Sequence, residues 1–238
     1  MLTEQQIARY SRQIVLQPVG GKGQQKLLSA SAAIVGRGDM ATTAALYLTA
    51  AGIGKITLAG TNGIVSGDLN SLNPDCDVAR SSAPRDAATA EEIARRHDFV
   101  IVAGTAADTT VALNAPCVRL CKPLVWGSAG GSVGRMAVLA GSQPGTPCYG
   151  CLQQGLEESR ADGDSTQLSG AVFGAVGAFV GALQATAVIK LILGLETSTP
   201  ARLLTYHALA AVVRETHIVK DPRCEVCGAA QPGRARRS

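Results

Sequence analysis

The stretch SAAIVGRGDMATTAALYLTAAGIGKITLAG, Ser31 to Gly60, constrains this chain more than any other. A short apolar run, Ser31 to Gly36, meets a glycine-containing turn. An Ala/Leu-rich segment, Met40 to Gly52, then ends on a glycine suited to a helix C-cap, and Lys55 to Gly60 is a second apolar run. Strand, tight turn, helix and strand make a βαβ unit, which forces two parallel strands into one sheet. The turn at Gly36 and Gly38 lets backbone N–H groups at the start of a helix approach a phosphate closely, and Ala41 occupies the third small-residue position. Two residues disturb that reading. Asp39 puts a carboxylate inside the loop, and Gly60 stands where a dinucleotide-binding unit has an acid for the ribose.

The remaining segments continue the alternation. Ile7 to Leu28 reads as helical around a loop at QPVGGKG. Cys76 to Ser82 reads as a strand, Ala87 to His97 as a helix, Asp98 to Gly104 as a buried strand and Asp108 to Cys121 as a helix. KPLVWGSAGG, Gly134 to Gly141, Ala201 to Leu209 and Val212 to Lys220 complete the strands, while TNGIVSGDLNSLNPD is a loop with a short helical turn. Alternating strands and helices imply an α/β fold with a mostly parallel sheet. With 238 residues, no internal repeat and no clear linker, one domain over residues 1–230 is expected, followed by a disordered basic tail at 231–238.

Small residues dominate the packing: glycine reaches 27 residues while aromatics are only 3%. Leu168 to Lys190 is nearly free of charge and carries GxxxG spacings at Gly170/Gly174 and Gly177/Gly181, so it meets the length test for a membrane span. Gln184 interrupts the run, and a crossing would put the two cysteine pairs described below on opposite sides of a membrane. A buried Ala/Gly-rich helix pair is expected instead, with no membrane partner. The polar N-terminus lacks the apolar region of a secretory leader, and a cytoplasmic location is expected. A net charge of +4, with no basic stripe interleaved with aromatics, gives no nucleic-acid footprint.

Seven cysteines include two CxxC pairs, Cys148/Cys151 in PCYGC and Cys224/Cys227 in DPRCEVCG. Two intervening residues let both thiolates of a pair bind one Zn²⁺, and two such pairs complete a tetrahedral site. The pairs lie 72 residues apart, so the metal would clamp the end of the chain to its middle. Four sulfur ligands leave no position for water, which makes this Zn²⁺ structural. Cys76, Cys117 and Cys121 read as small buried hydrophobes, and His97, His207 and His217 form no triad or metal pattern.

Nine motifs occur in order: RYSRQIVL, GQQKL, VGRGDMA, ALYLTAAGIGKITL, LNPD, PLVWGS, PCYGC, LQATAVIKLILG and DPRCEVCG. Together they resemble the ThiF/MoeB/HesA family, the bacterial branch of the ubiquitin-activating-enzyme superfamily, from about Ile7 to Gly228. The resemblance implies a doubly wound, Rossmann-like, mostly parallel sheet with a C-terminal zinc-clamped β extension, and a dimer. It implies ATP- and Mg²⁺-dependent adenylation of the Gly-Gly C-terminus of a ubiquitin-like sulfur carrier protein. It also implies that Arg12, and with it Arg9, reaches toward the nucleotide of the partner subunit.

Against that pattern five elements are missing or altered. Asp39 replaces a loop glycine. Gly60-Thr61-Asn62 replaces the ribose-binding Asp-x-Asp. About two dozen residues carrying the family's triphosphate cations are absent between Gly60 and the LNPD landmark. Thr105-Ala106 stands at the Mg²⁺-binding Asp-Asn. No cysteine occurs in ADGDSTQLSG, where thioester- or persulfide-forming members carry one. A hydroxyl does not replace a carboxylate as the main Mg²⁺ ligand, and single preorganised charges are worth roughly 2.7–4 kcal/mol in such chemistry. The expectation is a chain in which ATP and Mg²⁺ no longer serve ordinary adenylation: a scaffold or inactive half that keeps Arg12. It would form a homodimer, or a heterodimer with an active family member. An active adenylyltransferase with a reorganised site, and a Rossmann-type small-molecule binder near Trp126-Gly127-Ser128, are the alternatives.

Overall fold

Each of the eight segments read as a strand joins one sheet. The computed structural model describes residues 1–61, 67–161, 172–195 and 201–228; the basic tail and most of ADGDSTQLSG lie outside them. In chain order α1 (Glu4–Arg9), α2 (Ser11–Ile14) and α3 (Gly20–Ser29) lead into β1 (Ser31–Gly36), α4 (Gly38–Ala51) and β2 (Lys55–Ala59). Then come α5 (Gly67–Leu72), β3 (Asp77–Ser81), α6 (Ala87–Arg96), β4 (Phe99–Ala103), α7 (Ala107–Arg119) and β5 (Leu124–Gly130). Next are β6 (Val133–Leu139), α8 (Tyr149–Ala161), α9 (Ala175–Leu193), β7 (Arg202–His207), a 3₁₀ turn (Ala208–Ala210) and β8 (Val212–His217).

The eight strands run β3-β2-β1-β4-β5-β6-β7-β8. β1 to β5 pair in parallel, and β6, β7 and β8 extend the sheet antiparallel. Strand order reverses between β1 and β4, so a doubly wound crevice opens at their C-terminal ends. The helices cover both faces. Ile34, Ile56, Ile101 and Val125 pack under α4 and α9, while Val35, Val100, Val102 and Leu124 pack under α6, α7 and α8.

The apolar segment forms one helix, α9, rather than the expected pair, and begins at Ala175. Its GxxxG spacing has a packing reason. A Cβ on Gly181 would lie 2.3 Å from the Met40 carbonyl oxygen, and one on Gly177 would lie 3.6 Å from the Asp39 Cβ. Glycine at these positions lets α9 cross α4 at backbone distance. Gln184, wholly buried, donates from Nε2 to the Val102 and Val125 carbonyls at 2.8 and 3.1 Å, fastening α9 to β4 and β5. α9 is long and apolar enough to cross a membrane; it packs against α3, α4, β5 and β6.

The N-terminal region differs from expectation in detail. Helix α3 starts inside QPVGGKG, at Gly20, and Gly23 within it makes room for the Leu193 side chain, which a Cβ there would meet at 2.7 Å. α8 has no counterpart in the sequence reading; its polar LQQGLEESRA segment lacks a strong apolar stripe.

A polar latch ties the first helices to the turn before β3. Tyr10, 2% exposed, donates to Asp75 Oδ2 at 2.8 Å and accepts from Asn73 Nδ2 at 2.9 Å, while Arg9 Nη1 reaches Asp75 Oδ2 at 2.5 Å. Asn73 Nδ2 also reaches the Thr49 carbonyl at 2.7 Å. Burial pushes the Tyr10 hydroxyl up to about 12, with smaller contributions from its two partners. Burial also pushes the Asp75 carboxyl up, but hydrogen bonds from Tyr10, Gln6 and Arg9 and the Arg9 charge outweigh it, so the pKa lies below the usual value. A lowered folded pKa adds stability above the unfolded value of about 3.9, and that stability is lost as pH falls through the folded value. Asp75→Asn is therefore expected to cost about 1–2 kcal/mol at neutral pH. It should also flatten the acid limb of thermal stability, measured by melting between pH 6 and pH 2.

Candidate functional site

Two places in the fold gather chemistry: a cysteine cluster, and the crevice at the ends of β1 and β4. The cluster comes first because its geometry is closed. Cys148 precedes α8, Cys151 lies in its first turn, and Cys224 and Cys227 follow β8. Their four sulfurs lie within 4.8 Å of one another. Cys148 and Cys224 are separated by 3.6 Å and Cys151 and Cys227 by 3.5 Å, too far for disulfides and close to the roughly 3.8 Å edge of a tetrahedron with 2.3 Å metal–sulfur bonds. All four are free thiols, and Val118 and Val226 pack against them. Asn114 donates from Nδ2 to Cys148 Sγ at 3.4 Å and accepts from the Tyr149 N–H at 3.0 Å, which fixes the first knuckle from α7. Burial pushes the Cys148 and Cys227 thiols up. Without a cation these two groups stay protonated; a divalent cation would hold all four as thiolates at this spacing, and the donor set fits Zn²⁺.

At the crevice, the strand–turn–helix unit has the predicted backbone. Gly36 (φ +146°) crosses β4 so closely that a Cβ would lie 2.0 Å from the Ala103 carbonyl oxygen. The Arg37 N–H donates to that same carbonyl at 3.2 Å. Gly38 (φ +74°) opens α4, whose N-terminus has no side-chain cap, and Ala41 is wholly buried against the sheet. Asp39 is exposed, and its Cβ lies beside Gly177 at the start of α9.

The other end-of-strand positions carry no acid. Gly60 (φ +71°) ends β2 with its N–H on the Ser81 carbonyl at 3.0 Å, and its Cα lies against Ala83. The Thr105 hydroxyl, after β4, lies 3.3 Å from the Thr110 hydroxyl. Ala106 caps α7 without a side-chain bond. Asp108, in the first turn of α7, is a carboxylate the sequence reading passed over because it falls outside the aligned pair.

Trp126-Gly127-Ser128 is packed strand rather than open lining. Trp126 stacks at 6.0 Å on Tyr149, and Gly127 lies under Gln184 and Val180. Ser128 Oγ and Gln184 Oε1 are buried without a hydrogen-bond partner among the described residues. The two N-terminal arginines separate in role. Arg9 is held by Asp75 in its own chain, whereas Arg12 is exposed on α2 with no ion pair among the described residues.

The ThiF family model matches residues 10–70 and 64–226. The chain belongs to the ThiF family. The match to that family comes in two pieces that meet at residues 64–70. Adenylyltransferase and sulfurtransferase MOCS3-1 of Drosophila pseudoobscura pseudoobscura is 35% identical over 252 residues, 96% of this chain and 55% of that protein. The ThiF-family chain thus spans about half the length of the MOCS3 relatives it matches. The sulfur carrier protein adenylyltransferase of Thermus thermophilus is 31% identical over 254 residues, 95% of this chain and 92% of its own length. The fold is shared with E. coli MccB solved with ATP, at TM-score 0.72 and 20% identity over 92% of this chain and 74% of MccB. It is shared equally with PaaA, at TM-score 0.72 and 16% identity over 92% of this chain and 84% of PaaA.

Proposed function

We propose that this ThiF-family chain works with a ubiquitin-like sulfur carrier protein ending in Gly-Gly, in sulfur-transfer biosynthesis, as a non-catalytic scaffold or partner subunit. The carrier follows from the sulfur-carrier and sulfurtransferase names of its relatives. The observation that carries the non-catalytic part is the crevice itself. Gly36, Gly38 and the uncapped α4 keep the backbone of a phosphate loop, while Gly60 and Thr105 supply no carboxylate for ribose or Mg²⁺. The split of the family match at residues 64–70 agrees with a shortened triphosphate segment there.

The partner subunit is a second copy or an active family member. Gln13, next to Arg12, lines a shallow groove with Tyr47 of α4 and Thr186 of α9; Tyr47 is 53% exposed, as an interface residue would be in the free chain. From α2 the forked, permanently charged Arg12 would cross to the partner's nucleotide. A structural Zn²⁺ sits on Cys148, Cys151, Cys224 and Cys227, with no open coordination position. We read the chain as cytoplasmic, where its three remaining thiols stay reduced.

Calorimetry with ATP·Mg²⁺ tests the reading: no heat of binding at micromolar nucleotide is expected, and micromolar binding would sink it. Mixed with an active homologue, wild-type chain should raise pyrophosphate exchange on a Gly-Gly carrier, and Arg12→Ala should remove most of that gain.

A second reading rests on Asp39 and Asp108, exposed carboxylates in the first turns of the two helices that flank the crevice. In that reading they replace the lost Mg²⁺ ligands and the chain adenylates the carrier itself. Carrier-dependent pyrophosphate exchange by this chain alone, abolished in Asp108→Ala, would establish it.

A further inference from the structure

The outer part of the sheet on the α6 side is left uncovered. Ala90, Ile93 and Ala94 of α6 pack with Val35, Val100 and Val102, over β1 and β4, so the helix stops short of β3. The result is a groove of about 490 Å³ with Thr57 of β2 and Ala79 of β3, register partners, among the residues of its floor. α6 contributes one wall, and Ser82, Ala83 and Arg85 form the far lip. That lip is fixed: Gly60 leaves only enough room for the Ala83 side chain, which a Cβ would meet at 2.6 Å, and the Arg85 N–H donates to Thr89 Oγ1 at 3.1 Å.

The lining is strongly one-signed. Lys55, Arg80, Arg85 and Arg96 face a single acid, Glu92, whose carboxylate is 2.8 Å from Arg96. Lys55 and Arg85 make no ion pair among the described residues. The floor is neutral. His97 Nδ1 lies 2.8 Å from the Ile93 carbonyl and so carries the proton, and Nε2 accepts from the Thr57 hydroxyl at 2.8 Å. Burial holds this imidazole in its uncharged form. Glu92 is the one acid among the lining residues, Asp98 acts on His97 against Lys55 and Arg96 from outside the groove, and the Ser81 and Ser82 hydroxyls add donors at the rim.

We propose that this groove is a binding site for a phosphate-bearing small molecule, separate from the crevice at Gly36 and independent of whether ATP binds there. Its volume lies within the roughly 300–1,000 Å³ of small-molecule sites. Guanidinium and ammonium groups with adjacent hydroxyls are the groups that hold phosphate oxygens by charge-assisted hydrogen bonds.

Inorganic pyrophosphate is the probe, titrated calorimetrically without Mg²⁺ into the full chain. Saturable binding tighter than about 1 mM is expected, weakening as salt rises. Lys55→Glu with Arg85→Glu should weaken it at least tenfold at an unchanged melting temperature. Should the charge reversal unfold the chain, Lys55→Gln with Arg85→Gln serves the same purpose. Arg37→Ala, in the Gly36 crevice, should leave the affinity unchanged. Absence of saturable binding, equal binding by the double variant, or loss of binding in Arg37→Ala each overturns the proposal.

Discussion

Cys224→Ser is expected to strip the metal and release the C-terminal segment while leaving the two helix-covered cores folded. The reasoning is geometric. Two sulfurs come from the start of α8 and two from the stretch after β8, so a Zn²⁺ bound among the four would join those two segments directly. β8 is exposed on both faces, so little apolar burial replaces the clamp once it opens; Ile218, 7% exposed, is the nearest buried anchor. Zn²⁺ supplies on the order of 10 kcal/mol in small domains that depend on it wholly. Here the main cores are expected to survive without it, so the expected effect is a fall in melting temperature on the order of 10 °C. Rapid proteolysis after β7 should accompany it. One Zn²⁺ per chain by elemental analysis, released by chelation with the same fall, is the matching measurement. A metal-free wild-type chain with an unchanged Cys224→Ser melt would refute the clamp.

The second large effect separates space from conformation in the turn between β1 and α4. Gly36→Ala drives a Cβ to 2.0 Å from the Ala103 carbonyl oxygen at a φ of +146°, and both the overlap and the backbone act against it. That overlap sits between β1 and β4, two interior strands paired on both sides, where the backbone cannot move aside. A loss on the order of 3 kcal/mol is expected, or roughly 6–12 °C in melting temperature for a chain this size. Gly38→Ala, at φ +74° with nothing within 4 Å, meets only the conformational cost of about 1 kcal/mol. Equal losses from the two substitutions would mean that the close approach at Gly36 is not what its glycine serves. A deficit in Gly36→Ala with no change in ligand binding would mark the turn as architecture.

Local pattern carried much of this fold. β1, α4 and β2 were legible because an apolar run, a glycine turn and a glycine C-cap are consecutive in the chain, and the CxxC pairs because their spacing is itself the ligand geometry. What was not legible joins distant residues. Arg9 reads as a free cation until Asp75, 66 positions away, is brought beside it. Asp108 escaped notice because its place at the crevice depends on where α7 begins. Helix α8 was hidden because its buried residues among those described, Tyr149, Cys151 and Leu152, are bunched at its start rather than repeated along it. The groove beside β3 depends on how far α6 reaches across the sheet, which no residue pattern within α6 records.

The wide separation of the two cysteine pairs also bears on the order of events during synthesis. Cys151 leaves the ribosome 73 positions before Cys224, and at that stage the first pair could form only half of a metal site. By then all five parallel strands and the helices between them have been synthesised. The final ligands arrive after β8 has been made. A chain stopped short of Cys227 therefore cannot complete tetrahedral coordination, and its antiparallel wing stays unfastened and open to proteases. A Zn²⁺ bound by all four cysteines would in this way report that translation has passed β8.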